Sequence, residues 1–145
     1  MVIGCAAMMR PGVKTEGVQW LVRTVAGLRD SGVNAFLAVA GGGDNQEACT
    51  EYATEMLGDA CVFTGPVERD ELPGFYSALD IFAFPGIRES VGMVYLEAQA
   101  CGVPCVATDD LGAPRVVEHG ETGLISPVDE AAFAEAVSRL AGDEG

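Results

Sequence analysis

The sequence predicts an α/β domain of the doubly wound, Rossmann-like type with a parallel sheet. Three observations predict it: short apolar, β-branched runs alternate with stretches of helical periodicity, turn residues mark nearly every junction, and the strand-like runs are separated by helices, which precludes hairpins. Right-handed crossovers then set helices on both faces of the sheet.

The elements follow in order. Residues 2–7 read as a buried strand, and 17–28 as a helix, because Val18, Leu21, Val22, Val25 and Leu28 recur at helical spacing before the stop at Asp30-Ser31-Gly32. Residues 34–40 form the next strand and run into Gly41-Gly42-Gly43-Asp44, after which 46–57 returns to helical spacing. A short third strand, 61–64, ends at Gly65-Pro66, and 70–79 puts Leu72, Phe75, Tyr76 and Leu79 on one helical face. Residues 80–84 give a strand broken by Pro85-Gly86. A loop leads to a helix at 92–101, and 103–108 is a strand opened by a proline. Beyond Gly112-Ala113-Pro114 come a short helical turn at 114–118, a last strand at 123–126 and a final helix at 129–140 capped by Asp129.

At 145 residues the chain is one domain, and 49% hydrophobic with 21% charged residues supports a packed core. No apolar run approaches the roughly 18 residues that cross a bilayer, so a soluble, cytoplasmic chain without an integral membrane segment is expected. The 22 acidic and 8 basic residues give a net charge of −14, which argues against nucleic acid or an anionic membrane as partner. An anionic ligand therefore needs a local cluster of cations. Cys5, Cys49, Cys61, Cys101 and Cys105 are odd in number and scattered, which speaks against a disulfide framework. Cys101 and Cys105 enclose Gly102 and Pro104, a helix-to-strand turn, and His119 is the only histidine, so no metal site is expected. The opening MVIGC resembles a lipoprotein processing site, but no basic and apolar segments precede it, and a signal peptide is not expected.

In a doubly wound sheet, ligands bind at the carboxyl ends of the strands where the strand order reverses. The most informative stretch there is 88–102, RESVGMVYLEAQACG. From Gly92 onward it is apolar on almost every side, which predicts a helix buried inside the domain and makes Glu97 conspicuous. Beside Met93, Leu96, Ala100 and Cys101, an ionised carboxylate needs donors. The adjacent hydroxyls of a ribose are suitable; an arginine such as Arg88 or Arg115, or solvent, is the alternative. Glu89 falls in the loop after the 80–84 strand, where it can face a ligand or simply water. Amides at Gly92, Met93 and Val94, with the helix dipole, suit phosphate oxygens, although a helix capped by Ser90 would look the same.

Arg10 and Lys14, placed in the loop after the first strand, could neutralise a diphosphate from the same edge or be solvated. Gly41-Gly42-Gly43-Asp44 lacks the lysine and hydroxyl of a Walker loop, and its glycines either bring backbone close to a ligand or turn the chain. Thr64-Gly65-Pro66-Val67 is a wall for a flat base or an ordinary turn, and His119 reads as a loop residue.

These residues resemble the carboxyl-terminal, donor-binding domain of the retaining glycosyltransferases of family 4, which have the GT-B fold. The likeness covers nearly the whole chain. It is strongest in Glu89 through Glu97, which looks like that family's Glu-x7-Glu motif, continued by LEAQACGVPCVA from Leu96, and in the segment from Gly112 to Ile125. The resemblance implies a nucleotide-diphosphate sugar as donor substrate, with Glu97 on its ribose, Glu89 near the transferred sugar and amides at Gly92, Met93 and Val94 on the diphosphate. Val67 would lie near the base, and Arg10 and Lys14 would stabilise the leaving diphosphate with no bound metal or other cofactor. Some positions depart from the family pattern: Met8-Met9 stands near the usual arginine, Thr15 and Glu16 separate Lys14 from Gly17 where the lysine usually precedes glycine directly, and Arg115 replaces a common glutamate. The family's amino-terminal, acceptor-binding domain is absent from residues 1–145, so the chain is expected to be a fragment inactive alone. The alternatives are a non-catalytic nucleotide- or partner-binding module that keeps the half-fold, or another enzyme of this architecture such as an epimerase or phosphorylase.

Overall fold

The structure is a computed structural model and describes residues 1–7, 9, 13–85, 93–109 and 113–143. In chain order the elements are β1 (Val2–Ala6), α1 (Val13–Asp30), β2 (Phe36–Ala40), α2 (Gln46–Leu57), β3 (Cys61–Phe63), a 3-10 turn (Arg69–Glu71), α3 (Leu72–Ser77), β4 (Ile81–Ala83), α4 (Met93–Ala100), β5 (Cys105–Thr108), α5 (Ala113–Val116), β6 (Gly123–Ser126) and α6 (Glu130–Asp143). The strands form one sheet in the order β3-β2-β1-β4-β5-β6, with every pairing parallel. The expected doubly wound α/β fold is therefore present. Its central strands are covered on both faces, which is why β4 and β5 read as continuous apolar runs rather than alternating ones.

Right-handed crossovers put α1 and α2 on one face and α3, α4 and α5 on the other. The final helix, α6, returns to pack on α1. Val18, Leu21, Val22 and Val25 of α1 are fully buried, and Trp20 meets Phe133 of α6 with ring centroids 6.2 Å apart. Arg23 ties the three helices of this face together. Its Nε and Nη2 donate to the two carboxylate oxygens of Glu130 in α6 at 2.7 and 2.8 Å, while Nη1 donates to the Tyr52 hydroxyl of α2 at 3.0 Å.

Several boundaries move for physical reasons. Helix α1 starts at Val13 rather than residue 17, because its first turn is outside the buried stripe: Glu16 is exposed and carries no periodic signal. Lys14 accordingly lies in the first turn of α1 and not in a loop, a correction to its expected setting. The stretch 70–79 divides into the 3-10 turn and α3, with Pro73 in the first turn of the helix. The strand expected at 103–108 starts at Cys105, after Pro104, which has no N–H to give the ladder. Asp129 caps α6 as expected, its Oδ2 accepting from the Ala132 N–H at 2.9 Å. No disulfide joins any of the five cysteines. Among the described residues, no helix is long and apolar enough to cross a membrane.

Candidate functional site

The strand order reverses between β1 and β4, so the connections leaving these neighbours diverge and open a crevice at the carboxyl edge of the sheet. One bank is built from the turns after β1, β2 and β3, which are laced together by main-chain bonds. The Ala7 N–H donates to Ala40 O at 2.9 Å, Met9 N–H to Gly42 O at 2.7 Å, Asn45 N–H to Met9 O at 2.8 Å and Gly41 N–H to Gly65 O at 2.9 Å. The approach is so close that side chains are excluded. Gly41 has φ 120° and a Cβ there would overlap the Ala7 carbonyl oxygen; Gly43 has φ 127° and its Cβ would lie 2.7 Å from Met9 O. The glycine run therefore serves backbone-to-backbone contact between two turns. Asn45 also donates through Nδ2 to the Thr15 hydroxyl at 3.1 Å, which fixes the first turn of α1 to the start of α2.

The other bank is the exit of β4. The Tyr95 hydroxyl donates to Phe84 O at 2.8 Å, and Thr108 of β5 donates to Pro85 O through its N–H at 2.9 Å and again through its hydroxyl. A Cβ on Gly17 of α1 would come within 3.0 Å of Phe84 Cζ, so the helix leaving β1 lies directly against the residue leaving β4.

Helix α4 forms the wall beyond that exit. The sequence predicted a helix buried on almost every side, and the structure corrects this. Tyr95 and Ala98 are fully buried, but Met93 is 47% and Leu96 44% exposed. The reason is geometric: among the described residues α4 packs against α3, α5, β4 and β5, and Met93 and Leu96 are not covered by them. Glu97 is half-buried on this helix and accepts a hydrogen bond from the Tyr76 hydroxyl at 3.1 Å. Its partner among the described residues is thus a phenol of α3 and not Arg115, while Arg88 lies outside the described residues. Burial first, and then the charge of Glu97, push the Tyr76 phenol above the ordinary tyrosine range.

Of the residues singled out in the sequence, Glu97, Met93 and Val94 share α4, with Met93 and Val94 in its first turn, where helix N–H groups lack intrahelical partners. Val67 is half-buried just beyond β3, on the same edge of the sheet. Arg10, Glu89 and Gly92 lie outside the described residues, as does the side chain of Lys14. His119 has a structural partner: its Nδ1 accepts from the Ile125 N–H of edge strand β6 at 2.9 Å. Sequence reasoning assigned no role in the site to Tyr76, Tyr95 or Thr108. A signal was present for the tyrosines, since a tyrosine on an apolar helical face must find a partner for its hydroxyl.

Residues 1–143 match the family model described as glycosyl transferases group 1. The chain is 40% identical over 140 residues to a D-inositol 3-phosphate glycosyltransferase of Corynebacterium jeikeium, covering 90% of this chain and 33% of that protein. It is 35% identical to a GDP-mannose-dependent alpha-(1-6)-phosphatidylinositol monomannoside mannosyltransferase of Mycolicibacterium smegmatis, covering 98% of this chain and 39% of that one. The chain thus spans little more than a third of the length of these curated relatives. Among solved structures, HepE of Anabaena in complex with UDP and glucose superposes with a TM-score of 0.80 at 22% identity, over 99% of this chain and 39% of its own. The carboxyl-terminal domain of a glycosyl transferase group 1 family protein from Francisella tularensis also gives 0.80, at 23% identity, over 99% of this chain and 76% of its own. At these identities the structural matches establish the fold, a Rossmann-like half of the GT-B type. By the extent of the family match and the agreement of fold, this chain belongs to the glycosyl transferases group 1 family.

Proposed function

We propose that this chain is the donor-binding domain of a retaining glycosyltransferase and holds a nucleotide-diphosphate sugar in the crevice between the carboxyl ends of β1 and β4. The observation that carries the reading is Glu97: a half-buried carboxylate one helical turn beyond the first-turn amides of Met93 and Val94, on the helix that follows the switch-point strand. A carboxylate accepts hydrogen bonds from a vicinal diol, and main-chain N–H groups at a helix start donate to phosphate oxygens. Glu97 therefore takes the ribose, and Gly92, Met93 and Val94 take the diphosphate. Val67 lies near the base, and Glu89 near the transferred sugar.

Arg10 and Lys14 neutralise the diphosphate as it departs. Negative charge on the leaving group grows as the glycosidic bond breaks, so cations and amides aimed there stabilise the transition state more than the bound donor. The setting of Lys14 in the first turn of α1 supports this role, since that turn follows β1 at the switch point. No metal is required where such cations supply the charge. The acceptor would be held by a further, amino-terminal domain, in keeping with relatives whose length is nearly three times the matched segment.

One relative is named for GDP-mannose and a structural neighbour holds UDP, so both nucleotides are to be tried. Calorimetric titration with UDP, GDP and inorganic phosphate is expected to show one nucleotide binding well above phosphate, and Glu97→Ala to weaken it roughly tenfold or more, the scale of a lost hydrogen bond to a charged group. If neither nucleotide binds more tightly than phosphate, the reading fails.

A further inference from the structure

We propose that Tyr76 is a positioning residue, whose hydroxyl sets the Glu97 carboxylate in the orientation that receives a nucleotide's ribose. This rests on the assignment of Glu97 to the ribose made above and extends it to a residue that makes no contact with the ligand itself.

Tyr76 is 1% exposed, and its ring is gripped from two sides by edge-to-face contacts, with centroids 5.9 Å from Phe75 and 5.8 Å from Phe82. The ring cannot swing without displacing both neighbours. A phenylalanine would fill the same space; what the tyrosine adds is one hydroxyl, and that hydroxyl lies 3.1 Å from Glu97 Oε2. Phe82 is in turn edge-on to Tyr95 at 5.7 Å, and Tyr95 holds the Phe84 carbonyl at the exit of β4. One aromatic stack thus carries a hydroxyl at each end, one on the site's acid and the other on the strand end beside it.

The arithmetic of hydrogen bonding leaves room for a ligand. An ionised carboxylate offers about four acceptor positions, so one bond from Tyr76 fixes its plane and leaves enough for two ribose hydroxyls. An unanchored glutamate on an open helix side would have to lose rotamer freedom on binding, and a carboxylate held in advance does not. Burial and the nearby carboxylate both favour the protonated phenol, so near neutral pH the hydroxyl is present as a donor.

The test compares UDP with 2′-deoxy-UDP and GDP with 2′-deoxy-GDP, by calorimetry, on the 145-residue chain and its Tyr76→Phe and Glu97→Gln variants. The parent is expected to prefer the ribonucleotide, Glu97→Gln to lose that preference, and Tyr76→Phe to narrow it by about fivefold with affinity for the deoxynucleotide unchanged. A ratio of two ligands on one sample does not respond to a general loss of folded protein. Full preference retained in Tyr76→Phe, with loss in Glu97→Gln, would overturn the positioning role alone. No preference in the parent, or preference kept by Glu97→Gln, would instead remove Glu97 from the ribose and the role of Tyr76 with it. A second measurement is independent of nucleotide: in a chain with carbon-13-labelled tyrosine, Glu97→Gln should move the Tyr76 Cζ resonance at neutral pH, because the hydroxyl loses its charged acceptor. An unmoved resonance would show that the two side chains do not interact in solution and would sink the proposal.

Discussion

Helices α1 and α4 each follow a strand at the switch point, yet the fold uses them differently. Helix α1 drives Val18, Leu21, Val22 and Val25 fully into the core and is tied to α2 and α6 through Arg23. Helix α4 buries only Tyr95 and Ala98 among its eight residues, leaves Met93 and Leu96 about half exposed, and carries a carboxylate where α1 carries aliphatic side chains. The contrast separates a helix that stabilises the domain from one that presents chemistry. It also explains why α4 reads as greasy without being interior: apolar composition describes the residues, while burial depends on what else lies against them.

The contrast can be broken by mutation. Leu21→Ala should cost about 2–5 kcal/mol in urea unfolding, because it removes a fully buried side chain from a packed face. A loss as small as that of a surface change would mean that α1 is not the anchoring helix. Gly41→Ala comes next, at about 2 kcal/mol or more, since it combines a positive φ with overlap on the Ala7 carbonyl and should part the turns after β1 and β2. Thermal unfolding followed by circular dichroism would report it.

The layer beneath α4 sharpens the same distinction through pH. Cys105 lies in β5 with its thiol directed at Tyr95 O, 3.7 Å away, and burial pushes its pKa up from 9.0 to about 12. The unfolded chain releases this proton first, so the stability present in full below pH 9 declines as pH rises toward 12, by about 1.4 kcal/mol per unit. Replacement by alanine should flatten that slope, and Tyr76 adds to it in the same direction at still higher pH. Two smaller effects complete the series. Gly27→Ala, on the exposed side of α1 with nothing within 4 Å of a new Cβ, should stabilise by about 0.5–1 kcal/mol. Leu96→Ala on the open side of α4 should change stability by no more than about 0.5 kcal/mol.

The parallel, doubly wound sheet was legible because alternation of strand and helix leaves the chain little other choice, and the cap at Asp129 because a short side chain before an apolar period has a local reason to be there. What was not legible depends on distant parts of the chain. Tyr76 and Glu97 are 21 residues apart, and no local pattern points from that acid to a phenol. The opening of α1 at Val13 was missed because periodicity registers only the turns that face the core. The glycine run after β2 was recognisable as special, but its purpose, contact with the turn after β1, needed the two turns to be seen side by side.

As proposed above, a nucleotide occupies the carboxyl edge between β1 and β4, in reach of α4. Amide chemical-shift mapping of the nitrogen-15-labelled chain, titrated with UDP and then with GDP, tests it most directly. The largest shifts are expected at Met93, Val94, Gly42, Gly65 and Val67, with Val2, Phe36 and Asp80 at the opposite edge unmoved. Shifts centred on that opposite edge, or on the acidic outer side of α2 around Glu47 and Glu51, would contradict the account.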